Sequence, residues 1–128
     1  MPLGERVVTK FLNVDVELRV QSGIEILIEH LEPLMFVLHQ TTQDVCLELN
    51  KEGASLEDTI INLIEVIQSL GPQAKTIWDQ CDYRVFNIGV QGGHEPHEAY
   101  FTISNKAISL LASVRAEITF TVYAPLEE

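Results

Sequence analysis

Histidine and glutamate, two residue types that bind metals and transfer protons, alternate within the stretch GVQGGHEPHEAYFT, residues 89–102. His94 and His97 are each followed by a glutamate. Zinc needs three or four ligands in fixed geometry, and the zincin pattern H-E-x-x-H places two histidines one helical turn apart. The spacing here is H-E-P-H, one residue short, and Pro96 disfavours a helix. The stretch predicts an exposed loop between two strands, with a metal site at His94 and His97 as the alternative.

Other catalytic patterns are missing from the sequence. It has no G-x-S-x-G nucleophile elbow. The glycines of GVQGG lie between two predicted strands, whereas a phosphate-binding loop leads into a helix. Cys46 and Cys81 form no C-x-x-C motif and predict two free thiols, with a disulfide between them as the alternative. The residues therefore assign no catalytic group and no cofactor.

The charge balance restricts the partners. Eight basic and 19 acidic residues give a net charge of −11. Nucleic acids and anionic lipids bind basic surfaces, so neither is expected as a partner. No apolar run approaches the ~18 residues of a membrane span, and the N-terminus lacks a signal-peptide core. We expect a cytoplasmic protein whose acidity serves solubility or attracts a basic partner.

Alternating residues define the first strand. In LNVDVELRV the apolar side chains fall on one face, and Asp15 and Glu17 fall on the other. DVCLELN repeats the pattern, with Glu48 on the polar face. Three further strands are predicted at YRVFNIGVQ, AYFTIS and EITFTVYAP. The last of these is expected to turn Ile118, Phe120 and Val122 toward the core.

Helical spacing of apolar residues predicts the remaining elements. A first helix is expected from Gly23 to Gln40, interrupted or kinked at Pro33. The clearest helix begins after the N-cap Ser55 and stops at Gly71-Pro72. A short helix starts at Pro72, and another follows Ser104 or Asn105 as its cap.

The element order β-α-β-α-α-β-β-α-β, with one polar face on nearly every strand, predicts an α+β fold. We expect a two-layer sandwich, in which a mixed, mostly antiparallel five-stranded sheet carries helices on one face. Residues 1–10 are assigned to an N-terminal segment and residues 11–125 to a single domain. The strands on either side of the glycine-rich stretch are expected to form a hairpin.

Such a sheet leaves a second face to solvent or to a partner. Its candidate partner-binding residues combine acids with hydroxyl groups, and they are Asp15, Glu17, Glu48, Tyr100, Thr102, Thr119, Thr121 and Tyr123. Tyrosine suits interfaces because one end of its side chain is apolar and the other polar. An ordinary hydrated sheet face is the alternative.

The second half of the chain also resembles a known family. SLEDTIINLIEVIQSLGPQAKTIWD, YRVFNIGVQGG and YFTISNKAISLLASVRAEITFTVYAP are similar to a bacterial family of uncharacterised proteins, domain of unknown function 4279. The resemblance covers roughly residues 45 to 125. Matching positions are Leu56, Glu57, Asp58, Phe101, Ser104, Leu110, Leu111, Ile118, Phe120 and Tyr123. Arg115 departs from the pattern, because the family usually has a glycine there.

The resemblance implies no catalytic residues, and some family members are similar to immunity proteins found near toxin genes. Three functional hypotheses follow. The first is a non-enzymatic interaction protein, such as an immunity-type inhibitor, that binds a basic partner through its acidic strand face. The second is an enzyme, or a protein that binds a small ligand or a metal, using the loop from Gly89 to Tyr100. The third is a homodimer whose sheets meet, with no further activity.

Overall fold

The computed structural model describes residues 7–50 and 54–125, and these form one five-stranded sheet with four helices. The N-terminal segment assigned to residues 1–10 therefore lies partly outside the described residues. The elements in chain order are β1 (Lys10–Arg19), α1 (Ile24–Leu31), β2 (Met35–Gln40), β3 (Asp44–Leu49), α2 (Leu56–Gln68), α3 (Pro72–Asp79), β4 (Tyr83–Gln91), α4 (Asn105–Ser113) and β5 (Glu117–Tyr123).

The strands lie side by side in the order β2-β3-β1-β4-β5. Every neighbouring pair is antiparallel except β4 and β5, which run parallel. The predicted α+β class, with a mixed and mostly antiparallel five-stranded sheet, is confirmed. β1 occupies the centre, so the strand with the strictest alternation of polar and apolar residues has neighbours on both sides.

The core lies between one face of the sheet and the helices. Val14, Val16 and Leu18 of β1 are almost fully buried there, as are Phe86 and Ile88 of β4. They form one hydrophobic cluster with the buried stripes of the helices. Each such side chain contributes about 1.5–3 kcal/mol through its removal from water. This burial fixes which face of the sheet is left open.

Side-chain caps set the starts of α2 and α4. Ser55 accepts a hydrogen bond of 3.1 Å from the backbone N–H of Asp58, and Ser104 accepts one of the same length from Ala107. Ser55 was predicted as a cap, and Ser104 was one of the two residues proposed for the start of α4. Glu57 also accepts hydrogen bonds from the backbone N–H and the hydroxyl of Ser104, which lowers the pKa of its carboxyl. The start of α2 is thereby joined to the start of α4.

The predicted helix from Gly23 to Gln40 is wrong in its second half. α1 ends at Leu31, and Met35–Gln40 is the edge strand β2. Pro33 lies in the intervening turn, where Leu34 donates to the Leu31 carbonyl at 2.9 Å. A tight turn then returns the chain into β3, closed by a 2.8 Å hydrogen bond from Thr41 to the Asp44 carbonyl. Pairing with β3 outweighs the helical spacing of these apolar residues.

The predicted strand AYFTIS is also wrong, and with it the hairpin. Residues 99–104 form neither a helix nor a strand. The chain instead crosses over from β4 through α4 to β5, which pairs parallel to β4. A parallel neighbour requires such a crossover because the chain must return to the starting end of the strand. Phe101 and Ile103 pack against the core without joining the ladder.

The outer strand β5 is only partly covered. Ile118 packs against the core as expected, but Phe120 and Val122 stay 47% and 64% exposed, so their predicted burial is wrong. Their side chains share the register of the buried Ile88 and Val90, on the helix side of the sheet. At this edge the helical layer does not extend over the whole strand.

Candidate functional site

The sheet face opposite the helices is lined mainly by polar side chains. We call it the open face. It is formed by Asp44, Cys46 and Glu48 of β3, Asn13, Asp15, Glu17 and Arg19 of β1, Tyr83 and Asn87 of β4, and Glu117, Thr119, Thr121 and Tyr123 of β5. Its central side chains are half-buried, as expected when neighbouring strands but no helix surround them.

The strand register brings three acids together near the middle of the open face. Asp15 lies opposite Glu48 on β3, and Glu17 lies opposite Cys46. On the other side of β1, Asp15 faces Asn87. Side chains directly opposite on antiparallel strands have Cβ atoms about 4.5–5.5 Å apart, so like charges there repel. We call Asp15, Glu17 and Glu48 the acidic triad.

Two asparagines hold the acidic triad in place. The Asn13 amide nitrogen donates to Glu48 Oε2 at 2.8 Å and to Asp15 Oδ1 at 3.1 Å. One amide group therefore bridges two carboxylates. The Asn87 amide donates to Glu17 Oε2 at 3.1 Å, and its oxygen accepts from the Thr121 hydroxyl at 2.7 Å. Neutral donors order the carboxylates but leave their charge in place.

The charge of the triad is not neutralised within the described chain. Ion pairs between described residues are Arg19–Asp44 and Lys75–Asp79, and neither contains a triad residue. Partial burial raises the pKa of Asp15, and the nearby Glu48 and Glu17 raise it further. The Cys46 thiol beside them has its pKa raised to about 11 by burial and by the three carboxylates.

At one end of the open face a negative charge is balanced by a cation, in contrast to the charges of the acidic triad. Arg19 donates to Asp44 at 2.7 Å, and the Tyr83 hydroxyl donates to the other oxygen of the same carboxylate at 3.0 Å. These hydrogen bonds, that of Arg19 foremost, lower the pKa of Asp44. Among the described residues, the open face thus has one acid, Asp44, that is paired with a cation, and a cluster of three acids, the acidic triad, that is not.

The structure brings six of the eight predicted partner-binding residues onto the open face. Asp15, Glu17, Glu48, Thr119, Thr121 and Tyr123 all lie there. Tyr100 and Thr102 do not, because the strand that was to carry them is absent; both are exposed in the connection before α4. Sequence reasoning missed the bridging roles of Asn13 and Asn87. Their alternation with buried residues would have placed them on this face.

The histidine stretch is a loop attached to the N-terminal side of β1. The His94 N–H donates to the Val7 carbonyl at 2.7 Å, and the Thr9 N–H donates to the Glu95 carbonyl at 2.7 Å. His94 and His97 are both exposed. Within residues 7–50 and 54–125, no group of three or more His, Cys, Asp and Glu residues could hold a metal ion. Metal binding here gains no geometric support.

A cleft of about 570 Å³ opens at one end of the acidic triad. Glu48 and Asn13 line it together with the aromatic side chains of Phe11 and Phe36. Phe36 lies on the edge strand β2, directly opposite Glu48, and is half exposed. A carboxylate beside exposed aromatic carbon suits a long cationic side chain such as arginine or lysine.

Comparison with family models, with curated proteins and with solved structures found no match to this chain. The resemblance to the bacterial family therefore stays a prediction. In the part of the chain that the structure describes, no helix is long and apolar enough to cross a membrane.

Proposed function

We propose that this protein is a non-enzymatic interaction protein that binds a basic protein partner through the open face. The observation that carries the proposal is the acidic triad, three ordered carboxylates on the central strands without a cation among the described residues. Carboxylates arranged in this way accept charge-assisted hydrogen bonds from arginine and lysine. The narrower form, an immunity-type inhibitor of a basic toxin, rests on the family resemblance.

The raised pKa of Asp15 supports the proposal on energetic grounds. Holding Asp15 half-buried beside Glu48 and Glu17 costs folding free energy, because burial and the neighbouring charges both disfavour the charged form of Asp15. A cation from a partner would offset that cost by removing the repulsion. Residues that serve binding often make the unbound protein less stable than it would be without them.

The net charge of −11 supports the same conclusion on kinetic grounds. An acidic molecule attracts a basic one over a distance comparable to the Debye length, about 8 Å at physiological salt. This attraction raises the association rate and weakens as salt is added. The half-exposed aromatic ring of Phe36 next to Glu48 offers apolar contact at the same place.

Affinity purification with matched charge variants tests the proposal. The triple variant Asp15→Asn/Glu17→Gln/Glu48→Gln removes the triad charge. The control variant Glu25→Gln/Glu29→Gln/Glu65→Gln removes the same charge from exposed positions on α1 and α2. Each protein is immobilised, exposed to a lysate of the native host at low salt and eluted with increasing salt.

We expect basic proteins that wild type and the control variant retain and that the triad variant loses. The affinity of a purified candidate should then fall as salt rises, and fall about 10–100-fold in the triad variant, as when charged contacts at an interface are removed. Equal retention by both variants would attribute the binding to net charge alone and contradict the proposal. So would the absence of any basic protein that depends on the triad.

A further inference from the structure

The outer strand β5 has a sequence that is close to a palindrome. EITFTVY is centred on Phe120, which is flanked by Thr119 and Thr121 and then by Ile118 and Val122. β5 is also an edge strand, with β4 on one side and no strand of the described chain on the other. When a near-palindromic strand pairs with its own copy about a two-fold axis, it sets similar side chains opposite each other.

The backbone of β5 is oriented for such a pairing. Gly92 donates to the Tyr123 carbonyl at 2.7 Å, so Tyr123 points its backbone groups toward the β4 side. In a parallel ladder this orientation alternates along the strand. Ile118, Phe120 and Val122 therefore point their N–H and C=O groups toward the free edge. That edge presents three donors and three acceptors in regular spacing.

The two edges of the sheet differ in how they are protected. The register of β2 against β3 shifts between Val37 and His39, an irregularity of the kind that blunts an edge against further pairing. The pairing of β5 with β4 continues over seven residues without a shift. Phe120 and Val122 also leave apolar surface beside this regular edge, since they are 47% and 64% exposed, respectively.

We propose that β5 pairs antiparallel with β5 of a second copy of this chain, about a two-fold axis at Phe120. This register sets Phe120 opposite Phe120, Ile118 opposite Val122 and Thr119 opposite Thr121. On the helix side of the sheet the partly exposed apolar side chains then meet apolar side chains. The two sheets become one continuous sheet, and the two open faces lie side by side on the same surface.

The pattern of charge and side chains favours a second copy as the occupant over a foreign strand. Glu117 is the single charged residue of β5, and the two-fold axis places it opposite Tyr123 of the other copy. Like charges directly opposite would be destabilising, and this register avoids them. A hydroxyl opposite a carboxylate can donate to it. A foreign strand would require none of this internal symmetry.

Analytical ultracentrifugation of the full chain tests the proposal. Sedimentation velocity is measured from low micromolar to several hundred micromolar protein, at low and at high salt. We expect a reversible dimer that high salt strengthens, because salt screens the repulsion between two acidic chains. The substitution Phe120→Lys sets two ammonium groups opposite each other on the axis and should raise the dimer dissociation constant at least about tenfold.

The substitution Leu34→Lys is the matched control, since Leu34 is 49% exposed and precedes β2 at the other edge of the sheet. It changes the charge equally and should leave the dimer intact. The substitution Val122→Lys, at a more exposed site, repeats the test if Phe120→Lys does not fold. Circular dichroism establishes folding for each variant.

Cross-linking checks the register directly. Opposite residues in a hydrogen-bonded antiparallel pair have Cα atoms about 5.5 Å apart, which a disulfide can span. Mild oxidation should link Phe120→Cys into a dimer and leave Leu34→Cys and wild type unlinked. The pKa of both native thiols is about 11, which keeps them poorly reactive.

A chain that stays monomeric at every concentration and salt would overturn the inference. So would a dimer that tolerates Phe120→Lys and Val122→Lys as well as Leu34→Lys, because it would then pair elsewhere. The inference would also be wrong if the chain stayed monomeric and used Phe120 to bind a different protein, because the strand that pairs with β5 would then be foreign. The proposed function fails separately, since its binding weakens with salt and depends on the acidic triad.

Discussion

The indole Nε1 of Trp78 donates a hydrogen bond of 2.9 Å to the backbone carbonyl of Val114. Trp78 lies in α3 and is fully buried, and Val114 is the capping residue at the end of α4. The bond joins α3 to the end of α4, where the chain turns toward β5. The segment that leads into the edge strand β5 is therefore held by a residue of the core.

Replacing Trp78 by Phe should destabilise the protein by about 2–4 kcal/mol. The substitution leaves the Val114 carbonyl buried without its donor and leaves a void in the core. Urea denaturation followed by circular dichroism measures the effect, because the chain has one tryptophan and the variant loses its fluorescence. The substitution Ile77→Val, at the neighbouring buried residue, should cost about 0.5–1.5 kcal/mol. Equal losses for the two variants would refute a specific role for the hydrogen bond.

Replacing Asp15 by Asn should raise the thermal stability at neutral pH. The folded-state pKa of Asp15 lies above its ordinary value of 3.8, so ionisation of this group opposes folding. The destabilisation is absent below pH 3.8, develops as pH rises through the folded-state pKa, and is complete above it. Melting temperatures of variant and wild type should differ at pH 7 and converge in acid. Glu65→Gln, on an exposed turn of α2, removes the same charge and is the matched control variant.

Cys46 should react slowly with iodoacetamide at pH 8. Its pKa of about 11 leaves little of the reactive thiolate, and we expect alkylation about 10–100-fold slower than for an ordinary free cysteine. Neutralising Asp15 and Glu48 should recover part of the rate, because burial, the largest cause of the shift, remains. Mass spectrometry of the alkylated peptides follows Cys46 and Cys81 separately. An unchanged rate for Cys46 would argue against the electrostatic influence of the acidic triad.

Replacing Gly93 by Ala should loosen the histidine loop. A Cβ atom at this position would collide with the Val7 carbonyl oxygen, which itself accepts a hydrogen bond from His94. The backbone must shift, so amide hydrogen exchange at Thr9 and His94 should accelerate while exchange in the core of β1 is unchanged. At Gly71 a Cβ atom would have no atom within 4 Å, so Gly71→Ala should leave those two amides protected.

Patterns of neighbouring residues were enough to predict β1 and the ends of α2. The alternation from Asn13 to Arg19 predicted the course of β1 and the face of each of these side chains, because a strand between two neighbours and under helices has one dry side. Leu12 was expected on the same dry side but is 43% exposed, next to the register shift between Phe11 and Asn13. Ser55 and the pair Gly71-Pro72 marked the ends of α2, because capping depends on residues close in sequence. These features required no knowledge of distant contacts.

Two segments were assigned wrongly, since their environment is set by residues far along the chain. Met35–Gln40 has apolar spacing that suits a helix, but its pairing with β3 makes it a strand. Phe101 and Ile103 alternate with polar residues as in a strand, but they pack against the core without pairing with any strand. Tyr100 and Thr102 were placed on the sheet face for that reason alone.

The α+β class, the polar and apolar sides of the strands and six of the eight residues of the candidate surface could be predicted from residue patterns alone. The parallel pairing of β5 with β4, the position of β5 at an exposed edge, and the placement of Asp15 opposite Glu48 became apparent only in the folded chain. Side-chain alternation records which side of a strand is dry, whereas strand order and register depend on hydrogen bonds between residues that no local pattern connects.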